Sequence, residues 1–284
     1  MTNTPLVTNL LIEEVHEQAQ VNKPTALGTP LRYSGAHGCS RQWGYYAFDA
    51  EPTEPVDAAG AWVMGVGTLV HEKVQEAISR AYPHARFEVA SGLSDKVSGS
   101  CDALITDTPI GTVLYELKTM GTYSFDKQVG WNRMRSQITD GEGPKPGAIA
   151  QAGLNALGLE ETFGIVVDYV VLGSITFEAL SKPKAFKMGV DDIDRVLAEW
   201  HFSREEWLPL AQEEASRMLE AADSIEQGYL PPRFAVTDGG TESELDPFGK
   251  DWHCGYCAFR TVCVQDGRGQ VWINDSALTK KETV

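Results

Sequence analysis

The chain has 284 residues, of which 42% are hydrophobic, and it carries a formal net charge of −16 at pH 7. This length suffices to bury the core of one large domain, and the apolar fraction is ordinary for a globular protein. No apolar run is long enough to span a bilayer and no leader-like segment opens the chain, so we expect a cytoplasmic protein without a membrane partner.

The predicted elements follow the apolar periodicity. In chain order they are a helix over residues 62–82, strands over 87–89, 97–105 and 112–118, an irregular stretch over 123–147, a helix over 148–157 closed by Gly158, strands over 162–172 and 174–180, a helix over 192–227, and a last structured piece over 252–264. This order predicts a mixed α/β fold in which a central mixed sheet is flanked by helices.

The acidic charge is distributed unevenly along the chain. Acidic side chains concentrate over residues 205–226 and 238–251, whereas residues 118–145 and 182–187 hold lysines or arginines with few or no acids. Strong net acidity disfavours a nucleic-acid partner, but a local basic stretch can still contact phosphates. The alternative is that these basic residues form an ordinary solvated face.

Three charged residues interrupt the apolar hairpin strands: Asp102, Glu116 and Lys118. An ionised group in a buried strand is costly unless another group compensates it. Glu116 and Lys118 are two residues apart, so their side chains point to the same face of the strand. Two carboxylates on paired strands repel each other unless a cation lies between them, and hard oxygen ligands suit Mg²⁺ or Mn²⁺. The alternative is an exposed strand with an ordinary ion pair.

Two further polar residues lie on predicted helices. His71 is expected on the helix face that meets the sheet, where it is either a hydrogen-bonded core residue or a metal ligand. Gln151, with Asn155 one turn later on the same face, either bonds a neighbouring carbonyl or reaches the charged cluster.

Three of the five cysteines lie close together near the end of the chain, and one lies far upstream: Cys254, Cys257, Cys263 and Cys39. In a reducing compartment such short spacing favours metal binding over disulfides. A zinc site, to which His253 could contribute, and an iron–sulfur cluster both fit this pattern. The fifth cysteine, Cys101, is expected to be a small core residue beside Asp102.

Together these motifs resemble the PD-(D/E)XK nucleases, and within them the RecB-like branch. The matching positions are a helix histidine, a Gly-x-x-Asp motif, a Glu-x-Lys motif and a helix glutamine: His71, Gly99 to Asp102, Glu116 to Lys118, and Gln151. One cysteine before the core and three after it resemble the iron–sulfur exonucleases of the CRISPR-associated (Cas-four) type, which have phage homologues. One position departs from the family pattern, because a tyrosine is usual where this chain has Asn155.

The resemblance implies a restriction-endonuclease-like core and a metal-dependent DNA exonuclease that acts on single-stranded ends. The implied ligands of Mg²⁺ or Mn²⁺ are Asp102, Glu116, His71 and the backbone carbonyl of Leu117. Lys118 is implied to orient the attacking water or to stabilise charge in the transition state, and Gln151 to position Lys118 or the phosphate. Cys39, Cys254, Cys257 and Cys263 are implied to hold a [4Fe–4S] cluster that joins the C-terminal segment to the N-terminal part.

The expected layout is an arm over residues 1–30, a nuclease core over 31–235 that includes Cys39, an iron–sulfur segment over 236–270 and a tail over 271–284. The expected partners are single-stranded DNA, with Tyr123 and Trp131 as candidate stacking contacts, and proteins of CRISPR adaptation or recombination in a bacterial or phage-infected cell. Two alternative hypotheses remain. The protein is a non-catalytic DNA-end-binding or adaptor protein, or it is the same nuclease with a Cys₄ zinc site.

Overall fold

The computed structural model describes residues 30–54, 58–132, 137–176, 196–233, 254, 257–267 and 269–277. The helices and strands in these ranges are, in chain order, β1 Leu31–Arg32, α1 Ser40–Ala47, α2 Ala58–Ala81, β2 Arg86–Gly92, β3 Val97–Thr108, β4 Gly111–Met120, α3 Thr122–Val129, β5 Trp131–Asn132, β6 Gln137–Ile138, α4 Pro146–Phe163, β7 Tyr169–Thr176, β8 Leu197–Ser203, α5 Arg204–Glu226, β9 Tyr229–Leu230, α6 Arg260–Asp266 and β10 Val271–Trp272. None of these helices combines the length and the hydropathy that a bilayer crossing needs.

The chain divides into two compact units. The first combines the described residues of Met1–Val66 with those of Ser216–Val284, and the second is Gly67–Ala215. The divisions fall inside α2 and inside α5. We call them the terminal unit and the central unit.

Five strands of the central unit lie in one mixed sheet, in the order β2–β3–β4–β7–β8. Neighbouring strands are antiparallel except for β4 and β7, which are parallel. A parallel pair needs a long crossover connection. The chain makes it through α3, β5, β6 and α4, so β4 lies in the middle of these five strands. The expected mixed α/β fold with a central mixed sheet flanked by helices is confirmed.

Helices cover both faces of this sheet. One face packs against α4 and α5 through Leu104, Leu114, Leu172, Ile149, Ala152, Ala156, Leu159, Trp207 and Ala211. The other face packs against α2 through Ile105, Val113, Val171, Ile78 and Tyr82. Because side chains alternate along a strand, the side chain of Val113 in β4 faces α2 and that of Leu114 faces α4. The even-numbered residues of β4 therefore face α4.

Helix α4 is longer than the sequence predicts. Gly158 does not close it but lies buried inside it, and the helix ends only at Gly164, whose φ of 67° is the left-handed conformation that suits a glycine at a helix end. The predicted strand over 162–172 is correspondingly wrong in its first half, because β7 begins at Tyr169. The start of β7 therefore depends on where α4 ends and not on the β-branched residues that follow α4.

The strand and helix predicted after β7 are also displaced. The predicted partner strand over 174–180 is wrong at its start, because Ser174–Thr176 belongs to β7 itself, and residues 177–195 lie outside the described residues. The antiparallel partner of β7 is β8, at Leu197–Ser203. The helix predicted over 192–227 therefore begins at Arg204. The stretch over 123–147, predicted to be irregular, contains α3 and the paired strands β5 and β6.

The terminal unit has its own small core. It is formed by Tyr45 of α1, Leu230 of β9, Phe259, and Val262 and Cys263 of α6. Strands β9 and β10 pair antiparallel, so residues 271–272 of the predicted tail belong to a strand. Apart from Pro30, the predicted arm over 1–30 lies outside the described residues.

Candidate active site and cysteine cluster

The charged residues of β4 meet a glutamine of α4. Lys118 Nζ donates to Glu116 Oε1 at 3.0 Å and to Gln151 Oε1 at 2.8 Å. Gln151 Nε2 in turn donates to Glu116 Oε1 at 2.5 Å. The three side chains thus form a closed ring of hydrogen bonds, which requires Glu116 and Lys118 to share the face of β4 that alternation predicts.

Glu116 is a buried carboxylate. Only 3% of the residue is exposed, and burial raises the pKa of its carboxyl group. The charge of Asp102 raises this pKa as well, whereas Lys118 and His71 lower it. The ionised form of Glu116 therefore depends on the positive charge around it.

Asp102 joins β3 to β4 and to α2. Its Oδ2 accepts the Leu117 backbone N–H at 2.6 Å, and its Oδ1 lies 3.3 Å from His71 Nδ1. The hydrogen bond to Asp102 raises the pKa of His71. Asp102, His71 and Glu116 therefore form one electrostatic group.

The position of Asp102 depends on an irregularity in the sheet. Cys101 and Leu104 pack in the same core cluster although they are three residues apart, so the alternation of β3 is broken between them. On β2, Glu88 has a φ of 47° and lies between the paired positions on either side of Asp102. A non-glycine residue in this conformation is strained, and such strain is frequent at functional sites.

Three further residues, which sequence reasoning missed, support this irregularity. Gln75 Nε2 donates to Glu88 Oε1 at 2.9 Å and lies 3.5 Å from the Asp102 carbonyl oxygen, and Ser100 Oγ donates to Glu88 Oε2 at 3.3 Å. One signal for Gln75 was present in the sequence, because it lies four residues after His71 on the same helix face.

The structure thus brings five predicted site residues into one electrostatic group. Glu116, Lys118 and Gln151 contact one another, and His71 contacts Asp102. The charges of Asp102 and His71 act on the Glu116 carboxyl group. Leu117 contacts this group through its backbone N–H, which donates to the Asp102 carboxylate. The role of its carbonyl as a metal ligand stays a prediction. Asn155, at the position that departs from the family pattern, lies 3.5 Å from Glu116 Oε2 through its Nδ2.

No group of three or more His, Cys, Asp or Glu side chains within the described ranges is arranged to hold a metal ion. Mg²⁺, however, is commonly bound by only one or two carboxylates, with waters and substrate phosphate oxygens completing its octahedron. Asp102 and Glu116 suit this mode, because their charges repel each other and a cation would relieve the repulsion. The donor set therefore fits a divalent cation.

The four cysteines predicted to bind a cofactor all belong to the terminal unit. Cys39 is the residue before α1, Cys263 lies in α6, and the Cys257 amide donates to the Cys254 carbonyl at 3.3 Å. Burial, together with the neighbouring Cys39, Cys263 and Cys254, raises the pKa of the Cys257 thiol to about 12. Cys257 therefore interacts electrostatically with the other three cysteines.

Cationic side chains lie beside these thiols. Burial raises the pKa of Cys263, and the charges of Arg41 and Arg233 oppose that rise. Arg41 is itself fully buried and donates to three backbone carbonyls, those of Pro231 at 2.5 Å, of Gly267 at 3.3 Å and of Gly269. Thiolates bound to a metal or cluster carry negative charge, which nearby guanidinium groups would offset. The residue types present therefore suit a thiolate-bound metal group, although within the described ranges the thiols are not arranged to hold one.

The sequence matches no protein-family model and none of the curated proteins. Among solved structures, the chain is similar to the crystal structure of SSO0001, with a TM-score of 0.48 and 16% identity over 91% of this chain and 96% of that chain. It is also similar to a phage-related exonuclease from Haemophilus somnus 129PT, with a TM-score of 0.41 and 12% identity over 66% of this chain and 81% of that chain. Both likenesses are distant.

Proposed function

We propose that the chain is a metal-dependent deoxyribonuclease of the PD-(D/E)XK type that acts as an exonuclease on single-stranded DNA ends. The observation that carries this proposal is the ring formed by Glu116, Lys118 and Gln151 beside the Asp102–His71 pair. A buried charged cluster is poor support for stability, since apolar residues of similar volume often serve a core at least as well. A catalytic role accounts for these buried charges, which core stability does not require.

Each residue then has a role. Asp102 and Glu116, with His71 and the Leu117 carbonyl, would hold Mg²⁺ or Mn²⁺. When bound, such an ion polarises a phosphate and lowers the pKa of water. Lys118 is fixed by two acceptors, so its ammonium is oriented in advance to place the attacking water or to stabilise charge that develops on the phosphate.

Single-stranded DNA is the proposed substrate because an exposed aromatic lies on the helix that follows β4. Tyr123 is 76% exposed, and Lys127 Nζ lies 5.9 Å from the centre of its ring. Bases stack on such rings without sequence preference. Tyr123 is only five positions after Lys118 in the chain, a span of at most about 18 Å. Trp131 is a second candidate for stacking.

The experiment compares wild type, Lys118→Ala and Lys73→Ala on end-labelled and on circular single-stranded DNA, with Mn²⁺ or with EDTA. Wild type should degrade only the linear strand and only with Mn²⁺. Lys118→Ala should lower the rate about 100- to 1,000-fold, as expected when an oriented charge donor is lost, while anisotropy shows that DNA binding persists. Lys73, exposed and paired with Glu76, is the matched control and should leave the rate unchanged.

Failure of wild type to cleave while still binding DNA ends would favour the rival function, a DNA-end-binding or adaptor protein. Cleavage of circular strands would show that the activity is endonucleolytic and not exonucleolytic.

We also propose a cytoplasmic setting with partners from CRISPR adaptation or recombination. Pull-down experiments in a bacterial or phage-infected cell test these partners.

A [4Fe–4S] cluster is the proposed ligand of Cys39, Cys254, Cys257 and Cys263; a zinc ion is the alternative. The interacting thiols and the adjacent Arg41 support a thiolate-bound group. Anaerobically purified protein should be brown and contain iron and sulfide. A colourless protein with stoichiometric zinc would establish the alternative.

A further inference from the structure

Asn155 contacts the second oxygen of the Glu116 carboxylate. Its Nδ2 lies 3.5 Å from Glu116 Oε2, whereas Gln151 Nε2 donates to Oε1 of the same carboxylate. The two amides are four residues apart on α4, so they lie on one helix face. A single face of α4 therefore presents one donor to each oxygen of Glu116.

The surroundings of Asn155 provide few other hydrogen-bond partners for its side chain. The residue is completely buried, and among the described residues its Oδ1 has no hydrogen-bond partner. A buried amide oxygen without a partner destabilises the folded state. Its neighbour Ala156 belongs to the apolar core cluster. An apolar residue at this position would thus serve the core better, and stability does not explain the asparagine.

We propose that Asn155 is a positioning residue for the metal site, which it serves by fixing the carboxylate plane of Glu116. This inference rests on the proposed function. The terminal torsion of a glutamate side chain has a broad energy profile, so donors to Oε1 alone, here Lys118 and Gln151, leave the carboxylate plane free to rotate about that oxygen. Two donors from one rigid helix, one per oxygen, define the plane and hence the direction of the remaining lone pairs. Asn155 itself touches neither substrate nor ion in this role.

The test replaces Asn155 with leucine, which keeps the volume and removes both polar atoms. The melting temperature of the variant in EDTA should equal or exceed that of wild type. The Mn²⁺ concentration needed for half-maximal activity, and for half of the Mn²⁺-induced rise in melting temperature, should increase about tenfold or more, as for the loss of other groups that orient metal ligands. At saturating Mn²⁺ the KM for DNA should not change.

Leu159→Ala is the matched control, since Leu159 lies on the same helix, is fully buried and belongs to the same core. It should lower the melting temperature in EDTA without changing the Mn²⁺ dependence. If the leucine variant does not fold, Asn155→Ala gives the same metal readout.

Two results would overturn the inference, and a third would refute the proposed function alone. A variant that loses stability in EDTA and keeps the wild-type Mn²⁺ dependence would show that Asn155 only supports the core. Wild type that binds Mn²⁺ without cleaving DNA would refute the nuclease, while the melting data would still decide the role of Asn155. Wild type that neither binds Mn²⁺ nor cleaves would refute both.

Discussion

Burial raises the pKa values of two neighbouring groups of the central unit, the Cys101 thiol and the Glu116 carboxyl group, but within the described part of the chain only one of them has a cation beside it. The pKa of the Cys101 thiol rises to about 12, so this cysteine stays neutral, and its expected place in the core is confirmed by its complete burial. Burial also raises the pKa of Glu116, but here Lys118 opposes the shift. The same apolar layer thus holds an inert thiol and a carboxylate whose charge is governed by its neighbours.

Part of the site geometry follows from the alternation of side chains along a strand. Alternation alone placed Glu116 and Lys118 on one face of the strand, and the contact between them at 3.0 Å confirms it. Alternation could not place Asp102, because the strand is irregular at that point. The left-handed conformation of Glu88, a residue type with no special preference for it, leaves no signature in one sequence.

The strain at Glu88 leads to a prediction about stability. Glu88→Gly and Glu88→Ala both remove the contacts with Gln75 and Ser100, but only glycine adopts the φ of 47° without a steric penalty. We expect the glycine variant to be about 1 kcal/mol more stable than the alanine variant. Urea unfolding of the two proteins measures the difference. Equal stabilities would mean that the backbone relaxes once the carboxylate is gone.

Among the elements, helix ends were the hardest to predict. Two glycines, Gly158 and Gly164, compete to end α4, and only the second is used, because the first is buried in the helix. The start of α5 did carry a signal. Glu206 Oε2 accepts the Ser203 backbone N–H at 2.7 Å, the reciprocal half of a Ser-x-x-Glu capping box. That motif predicts a helix start at residue 204, which leaves residues 197–203 free to form the edge strand.

Tertiary pairing, rather than local pattern, also decides the strands around β4. Its parallel pairing with β7 aligns Glu116 with Leu172 and Lys118 with Ser174. The run of Ile165, Val166 and Val167 has strong β propensity, yet it lies in the connection before β7. Its third residue, Val167, is buried in the core instead. Val166 is exposed, so the β propensity of this run determines neither its secondary structure nor its burial as a whole.

At the scale of the whole molecule, the two predicted chemistries belong to different units. The four cysteines of the proposed cluster lie in the terminal unit, and the carboxylates, Lys118 and Gln151 lie in the central unit. The sheet of the central unit has its own apolar layers on both faces. The core of the terminal unit is smaller and includes Cys263 itself. A bound metal group should therefore matter more to the stability of the terminal unit.

This difference predicts how hydrogen exchange responds to loss of the proposed cluster. In Cys257→Ser, which removes one of its four thiolates, peptides from α1, α6 and β9 should lose protection together with the brown colour, because ligand-dependent units open locally when the ligand is lost. Peptides from β3 and β4 should keep theirs. Cys101→Ala is the control, since this cysteine lies in the central unit, and it should keep both the colour and the terminal-unit protection. Equal loss of protection in both units would show that the thiolates stabilise the whole chain, and unchanged exchange with full colour would remove Cys257 from the ligand set.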